Sequence, residues 1–397
     1  YSSAASDVYK RQVLDFGRYI AGPYCATLLA DLGADVIRIE KPDGGEDRYT
    51  VPISDQGEGA YYIQLGRNKR AMTLNPRSEQ GQKIIQQLVA TADVVVANLP
   101  AQALVKLGLD YANLCKAKSD IILTTGSAFG AVGPYAQRGG FDTVAQAMSG
   151  AMYLSGEPQQ PAKSFAPYCD FGTAALCAFG TLAAIMHRNL TGEGQVVEGS
   201  LLSTALNFNN AALMEEAALN LGRQGTGTRG QYNGPTDSFK TRDGWVTVQV
   251  VGAGLYKRWA NLIEEAKWHD DKRFESDQLR GDHGSEISQR MNEWCQERTN
   301  SQVVETLTNA GIPCGELLSP QQVLQNEHVQ QGEFFSKLKY PGVEQAIPVA
   351  NHPVRYSSVP VEAVSPAPSL GQHTTEILSE LGYSNEQQAE LAKLGVI

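Results

Sequence analysis

The feature that most restricts the fold is the run from Val13 to Glu40. Val13-Leu14-Asp15-Phe16 is a short apolar strand, and Gly17 to Pro23 form a turn. A helix spans roughly Tyr24 to Leu32, Gly33 ends it, and Ala34 to Glu40 make the next strand. A β–α–β unit with so short a crossover implies parallel pairing with a right-handed connection. The pattern recurs as a helix from about Ser78 to Ala92, a strand from Asp93 to Ala97 and another from Asp120 to Thr125. Strands alternating with helices predict a doubly wound α/β fold.

A chain of 397 residues is too long for one simple core and predicts at least two domains. The composition changes near Phe239. Phe239 to Val250 read as a hairpin with Asp243-Gly244 at its turn, and helices with charged faces follow to about Ala310. These make a smaller α+β domain. Ile347 to Ser365 is extended and punctuated by proline, with a helix expected near Thr374 to Leu381. Tyr1 to Gln12 lack the apolar stretch of a signal peptide and are expected to be a non-native or disordered lead.

With 42% hydrophobic and 19% charged residues the composition is that of an ordinary globular protein. The net charge of −10 argues against nonspecific nucleic-acid binding, so an anionic ligand needs a local basic pocket. No apolar run approaches the roughly 20 residues of a membrane span, so no membrane partner is expected. Cys25, Cys115, Cys169, Cys177, Cys295 and Cys314 are scattered, without C-x-x-C or metal-ligand spacing. They read as reduced thiols of a cytoplasmic protein, with no metal site.

The first turn invites a dinucleotide reading. Gly17-Arg18-Tyr19-Ile20-Ala21-Gly22-Pro23 has the wrong glycine spacing for a pyrophosphate loop, and Pro23 removes an N–H donor. Glu40, placed where a ribose-binding acid would stand, is weak support without those glycines. The basic run Arg67-Asn68-Lys69-Arg70, with Arg77 nearby, reads as a solvated surface or as a cradle for an acidic nucleotide. Asp170, in Tyr168-Cys169-Asp170-Phe171-Gly172-Thr173, precedes a small-residue apolar helix from Ala174 to Arg188 that is expected to be buried nearly all round. Either Asp170 caps that helix or its carboxylate does chemistry.

Several blocks together resemble the class III CoA-transferases, the CaiB/BaiF family that includes formyl-CoA transferase and L-carnitine CoA-transferase. They are Ala21-Gly22-Pro23, Leu29 to Ile37, Asn68-Lys69-Arg70, Leu107 to Tyr111, Phe129-Gly130 with Gly133-Pro134-Tyr135, Thr191 to Gln195, and Leu370 to Thr374. They span Val13 to Ile397 in the family's order. The resemblance implies an acyl-CoA:carboxylate CoA-transferase in which Asp170 is the nucleophile, acylated and then thioesterified in turn. It implies coenzyme A and acyl-CoA as substrates rather than permanently bound cofactors, and a small carboxylic acid as co-substrate, with a lean towards the carnitine branch.

By the same resemblance, CoA contacts fall on Ile20, Ala21, Lys41, Leu74, Asn75, Arg77, Asn98, Leu99, Lys106, Arg138, Phe141 and Asp142. Lys41, Arg77 and Lys106 are the cations suited to phosphate. Lys106 stands where arginine is common, which loses a bidentate contact. The family's architecture implies an interlocked homodimer. It also implies a large Rossmann-like domain built from residues 13–221 and 331–397, with a linker and small α+β domain inserted in 222–330. Glycines 222, 225, 227, 230 and 234 are either a mobile lid or a linker.

The family also holds α-methylacyl-CoA racemases, which need two bases beside the α-carbon. Where those enzymes place a histidine this chain has Phe141, which moves no proton, and Val250 to Leu255 lack the racemase glutamate. Transferase chemistry is therefore the expectation, with a racemase-like isomerase or an inactive CoA-binding homologue as alternatives.

Overall fold

The computed structural model describes residues 10–359, 361 and 363–397; most of the expected lead lies outside them. A parallel sheet is built from β1 (Gln12–Asp15), β2 (Asp35–Glu40), β3 (Lys69–Thr73), β4 (Val94–Val96), β5 (Ile122–Ser127) and β6 (Val196–Ser200). Their order is β3-β2-β1-β4-β5-β6, every neighbouring pair parallel. The alternation of side chains along each strand explains the two layers. Leu14, Ile37, Val95 and Leu123 face one core with Ile84, Ile85, Leu88 and Val89 of helix α2 (Glu79–Thr91), whose N-cap Ser78 accepts from Gly81 N. Val13, Val36, Val94, Val96 and Ile122 face the other core with Leu28 and Leu29 of a helix spanning Ala21–Asp31, here α1. Strands buried on both faces read as unbroken apolar runs, as Val94-Val95-Val96 does.

Helix α1 starts three residues earlier than expected. Pro23 lies in its first turn, where a missing N–H costs nothing. Strand β3 overturns both readings of the basic run. Arg67 and Lys69 are buried, Arg67 pairing with Asp31 at 2.7 Å and Lys69 with Asp15 at 2.8 Å, while Arg70 pairs with Asp35 at 2.7 Å. These cations brace the sheet edge and are not offered to a ligand. Glu40 is likewise unavailable to a ribose, because Arg48 grips it in the interior.

The chain divides into two compact units, 1–149 with 164–211 and 332–397, and 150–163 with 212–331. Beyond the expected helix Thr374–Glu380, the tail adds Asn385–Lys393, and Ile377, Leu378, Leu391 and Val396 enter the first core. In the second unit Thr236–Lys240, Trp245–Gln249 and Cys314–Glu316 form an antiparallel sheet, its first two strands joined by the expected Asp243-Gly244 turn. Phe239, Val246 and Val248 pack there with Trp259, Phe274 and Met291.

Two further helices concern the site: α3 (Asp142–Met148) and α4 (Tyr168–Thr191). Helix α4 departs from the expectation that no apolar run approaches bilayer length: its 24 residues are long and apolar enough by length and composition. It packs instead on α1 and the sheet, burying Cys169, Thr173, Cys177, Thr181, Ala184 and Ile185. Nor is it buried all round. Leu176, Phe179, Met186 and Leu190 line its opposite face, with Phe179 72% and Leu190 87% exposed.

Candidate active site

The sheet reverses direction of winding between β1 and β4, and in open α/β sheets ligands bind beyond the strand ends at such a point. Asn98, just past β4, ties this place together: its Oδ1 accepts from Arg18 N at 2.6 Å and its Nδ2 donates to Arg18 O at 2.9 Å. A β-carbon on Gly22 would lie 2.4 Å from that Oδ1, so only glycine fits there. Between these fixed points Tyr19 is held at φ 57°, a conformation bulky residues avoid at a cost of about 1–2 kcal/mol. Ile20 and Ala21 follow, both buried, at the start of α1.

On one side of this turn lies a cleft of about 610 Å³ over the ends of β1 to β4. Of the expected CoA residues, Lys41, Leu74, Asn75, Arg77 and Leu99 line it, together with Arg18, Arg38 and Glu46. Lys106 is exposed on helix Ala101–Leu107 and is not among the lining residues. Arg38 is buried and spoken for, held by Asp47 at 2.6 Å and Asp15 at 3.5 Å. Arg77 is exposed and makes no ion pair among the described residues.

On the other side, Ala21 packs with Cys169 of α4, Ala145 of α3 and Leu201. Here the structure settles what caps α4, and it is not Asp170. The helix begins at Tyr168, so Asp170 is already inside its first turn. The orphan N–H groups of Cys169 and Asp170 donate instead to Asp142 Oδ2, at 2.8 and 3.2 Å. Gln146 holds the other oxygen of Asp142 and accepts from Ser164 N at 2.9 Å. Asp142 is thus buried and engaged by protein, although its positive helix end suits a carboxylate well.

Relieved of capping, the Asp170 carboxylate has no hydrogen-bond or ion-pair partner among the described residues. Burial first, and then the negative charge of Asp142, push its pKa up to about 7. Burial likewise pushes the neighbouring Cys169 thiol up to about 12, so that thiol is inert. Two aromatic pairs join these elements: Phe171 of α4 meets Tyr24 of α1 edge-on at 4.9 Å, and Phe141 meets Tyr19 at 5.4 Å. Phe141 is 63% exposed. Arg138 stacks over Tyr135 at 3.9 Å and has no carboxylate partner among the described residues.

Close packing fixes the height of α4. A β-carbon on Gly199 of β6 would lie 2.6 Å from Cys177 Sγ, and one on Gly172 would lie 2.7 Å from the Phe208 ring. The glycine-rich stretch 222–234 is stapled within the second unit: Gly227 N donates to Gly156 O at 2.7 Å, and Gly230 N to Thr236 O at 2.6 Å. The capping role of Asp142 was absent from the sequence reading. The only local signal is an aspartate opening a helix, and its target lies 28 residues away.

Residues 10–374 match CoA-transferase family III. The chain is 31% identical to human succinyl-CoA:glutarate CoA-transferase, covering 97% of this chain and 89% of that one. It is 31% identical to succinyl-CoA:mesaconate CoA-transferase of Haloarcula marismortui, over 94% and 95% of the two chains. Among solved structures, a CaiB/BaiF family protein from Brucella suis superposes with a TM-score of 0.81 at 28% identity, over 94% of this chain and 99% of that one. The chain therefore belongs to CoA-transferase family III, the acyl-CoA:carboxylate CoA-transferases.

Proposed function

We propose that Asp170 is the nucleophile that carries the acyl group and then CoA. The observation behind this is its unpartnered carboxylate, half-buried at a helix start whose N–H groups another aspartate satisfies. A carboxylate is a weak nucleophile, and partial desolvation with fixed alignment strengthens it. The ionised form attacks the donor thioester carbonyl and expels the CoA thiolate, leaving an aspartyl anhydride. The thiolate attacks the aspartyl carbonyl, releases the donor acid and forms an aspartyl-CoA thioester. The acceptor carboxylate displaces the thiolate again to give a second anhydride. The thiolate then takes the new acyl group, and the Asp170 carboxylate is regenerated.

CoA fits the cleft beside Lys41, Leu74, Asn75, Arg77 and Leu99, with Arg77 as its free phosphate partner. The turn Arg18 to Ala21 borders that cleft and also packs towards Cys169, so pantetheine can pass from cleft to nucleophile along it. The similar relatives are named for succinyl-CoA and dicarboxylic acids, which replaces the lean towards carnitine with a dicarboxylate acceptor. Arg138 is available to an anionic group of that substrate. We also read the exposed apolar face of α4 as covered by a second copy in a homodimer, since a helix apolar on both faces is stable only when both are dry. The free cysteines suit the reducing cytoplasm.

The test is trapping. During turnover with succinyl-CoA and glutarate, hydroxylamine should convert Asp170 to its hydroxamate in the peptide holding Tyr168 to Thr173. An unlabelled peptide in an active preparation overturns the proposal.

A further inference from the structure

Four cations line the cleft, and three are already neutralised by the chain itself. Arg38 is locked in the interior by Asp15 and Asp47. Arg18 binds Asp47 at 2.8 Å and also Glu46. Lys41 binds Glu46 at 3.1 Å and Asp43 at 3.4 Å. Glu46 is therefore the shared counter-ion of the two partly exposed cations, one oxygen on each. Its own backbone N–H, Lys41 and Arg18 together hold it at a pKa of about 2, so it is charged at every working pH.

The partners of these cations differ in kind. Asp47 is buried and fixed, whereas Glu46 is 65% exposed and can swing into water without disturbing any core. An exposed ion pair of this sort contributes little to stability and exchanges readily for another anion.

We propose that Glu46 is a detachable placeholder for a phosphate of the nucleotide substrate. Its carboxylate spans Arg18 and Lys41 and keeps two like charges together. When a phosphate arrives, Glu46 leaves to solvent and the phosphate takes the same two cations. This inference rests on the reading of the cleft as the CoA site. It adds that this chain makes its nucleotide compete with an internal anion, so affinity is lower and release easier than the bare cations would give. The energetic sign is fixed: an anion that must be displaced weakens binding, and removing its charge strengthens it.

The experiment compares wild type with Glu46→Gln by titration calorimetry, using CoA and adenosine 3′,5′-bisphosphate at low salt, together with steady-state kinetics. The expected result is binding roughly two- to fivefold tighter in the variant, the span reached by exposed ion pairs. KM for acyl-CoA falls with it, while kcat and the melting temperature hold. Asp43→Asn, which touches Lys41 alone and at longer range, gives a smaller gain. Unchanged or weaker nucleotide binding in Glu46→Gln overturns the placeholder while leaving the CoA site intact. If Arg77→Ser leaves CoA affinity unchanged, the cleft is not the CoA site, and the placeholder falls with it.

Discussion

Aspartates and glutamates are used in two opposite ways within the first unit. Around the first turns of the sheet, Asp15, Asp31 and Glu40 are buried and each meets a fixed cation: Lys69 and Arg38 at Asp15, Arg67 at Asp31, where the His352 ring also makes contact, and Arg48 at Glu40. Burial alone would raise their pKa values, but those charges and hydrogen bonds outweigh it and hold all three below the ordinary carboxylate range. At the head of α4, Asp142 and Asp170 lie one peptide group apart with no cation to either carboxylate among the described residues. There burial and like charge act together, and Asp170 is driven up. A compensated carboxylate holds the scaffold, and an uncompensated one stores reactivity.

The largest expected break in that contrast is Asp170→Asn. It should lower CoA transfer by about a thousandfold or more, because a side chain that forms covalent intermediates has no substitute. The melting temperature should hold or rise, since the substitution relieves a poorly solvated charge. Transfer within tenfold of wild type would move the reaction to another group.

The scaffold should respond in the reverse sense. Lys69→Met strands Asp15 in the interior and should cost about 3–5 kcal/mol in denaturant unfolding, because removing one partner of a buried pair leaves the other uncompensated. Any loss of activity should follow the loss of folded protein. A variant as stable as wild type would show that Arg38 alone satisfies Asp15.

How much of this was legible follows from the same division. The β–α–β rhythm, the parallel sheet and the Asp-Gly hairpin are written in local periodicity, and the sequence reading of them agrees with the structure. Asp170 could be singled out because it stands before an apolar helix. The basic run at Arg67 to Arg70 misled because its partners Asp31, Asp15 and Asp35 lie more than thirty residues upstream, and no local pattern separates a paired lysine from a solvated one. The capping of α4 by Asp142 was hidden for the same reason. The exposed face of α4 could not be read from hydropathy, which reports that a face is apolar but not what covers it.

Titration offers a subtler test, with opposite signs in the two regions. Asp170 has a folded pKa of about 7 against an ordinary 3.8, so between those values the folded chain keeps a proton that the unfolded chain has lost. Its contribution to stability therefore falls as pH rises across that window. Asp15, Asp31 and Glu40 have depressed folded pKa values, so their contribution is complete above the ordinary carboxylate range and lost as pH falls through the folded values. Denaturant melts from pH 4.5 to 7.5 should show Asp170→Asn gaining on wild type as pH rises. A constant gap would mean that Asp170 titrates normally.

The smallest effect on activity, and the most discriminating, belongs to Asp142→Asn. The amide oxygen can still accept from Cys169 N and Asp170 N, so the cap survives, and the stability cost is confined to the Gln146 bond, whose donor now meets the new amide NH2, about 1–3 kcal/mol. What disappears is the negative charge that adds to burial in raising Asp170. The nucleophile must be ionised to attack, so wild-type kcat/KM should climb through a midpoint near pH 7. In Asp142→Asn that rising limb should move towards acid while the plateau stays close to wild type. A lowered plateau with an unmoved limb would make Asp142 a matter of geometry alone. A moved limb with an unchanged plateau would make it the electrostatic partner that sets when Asp170 is armed.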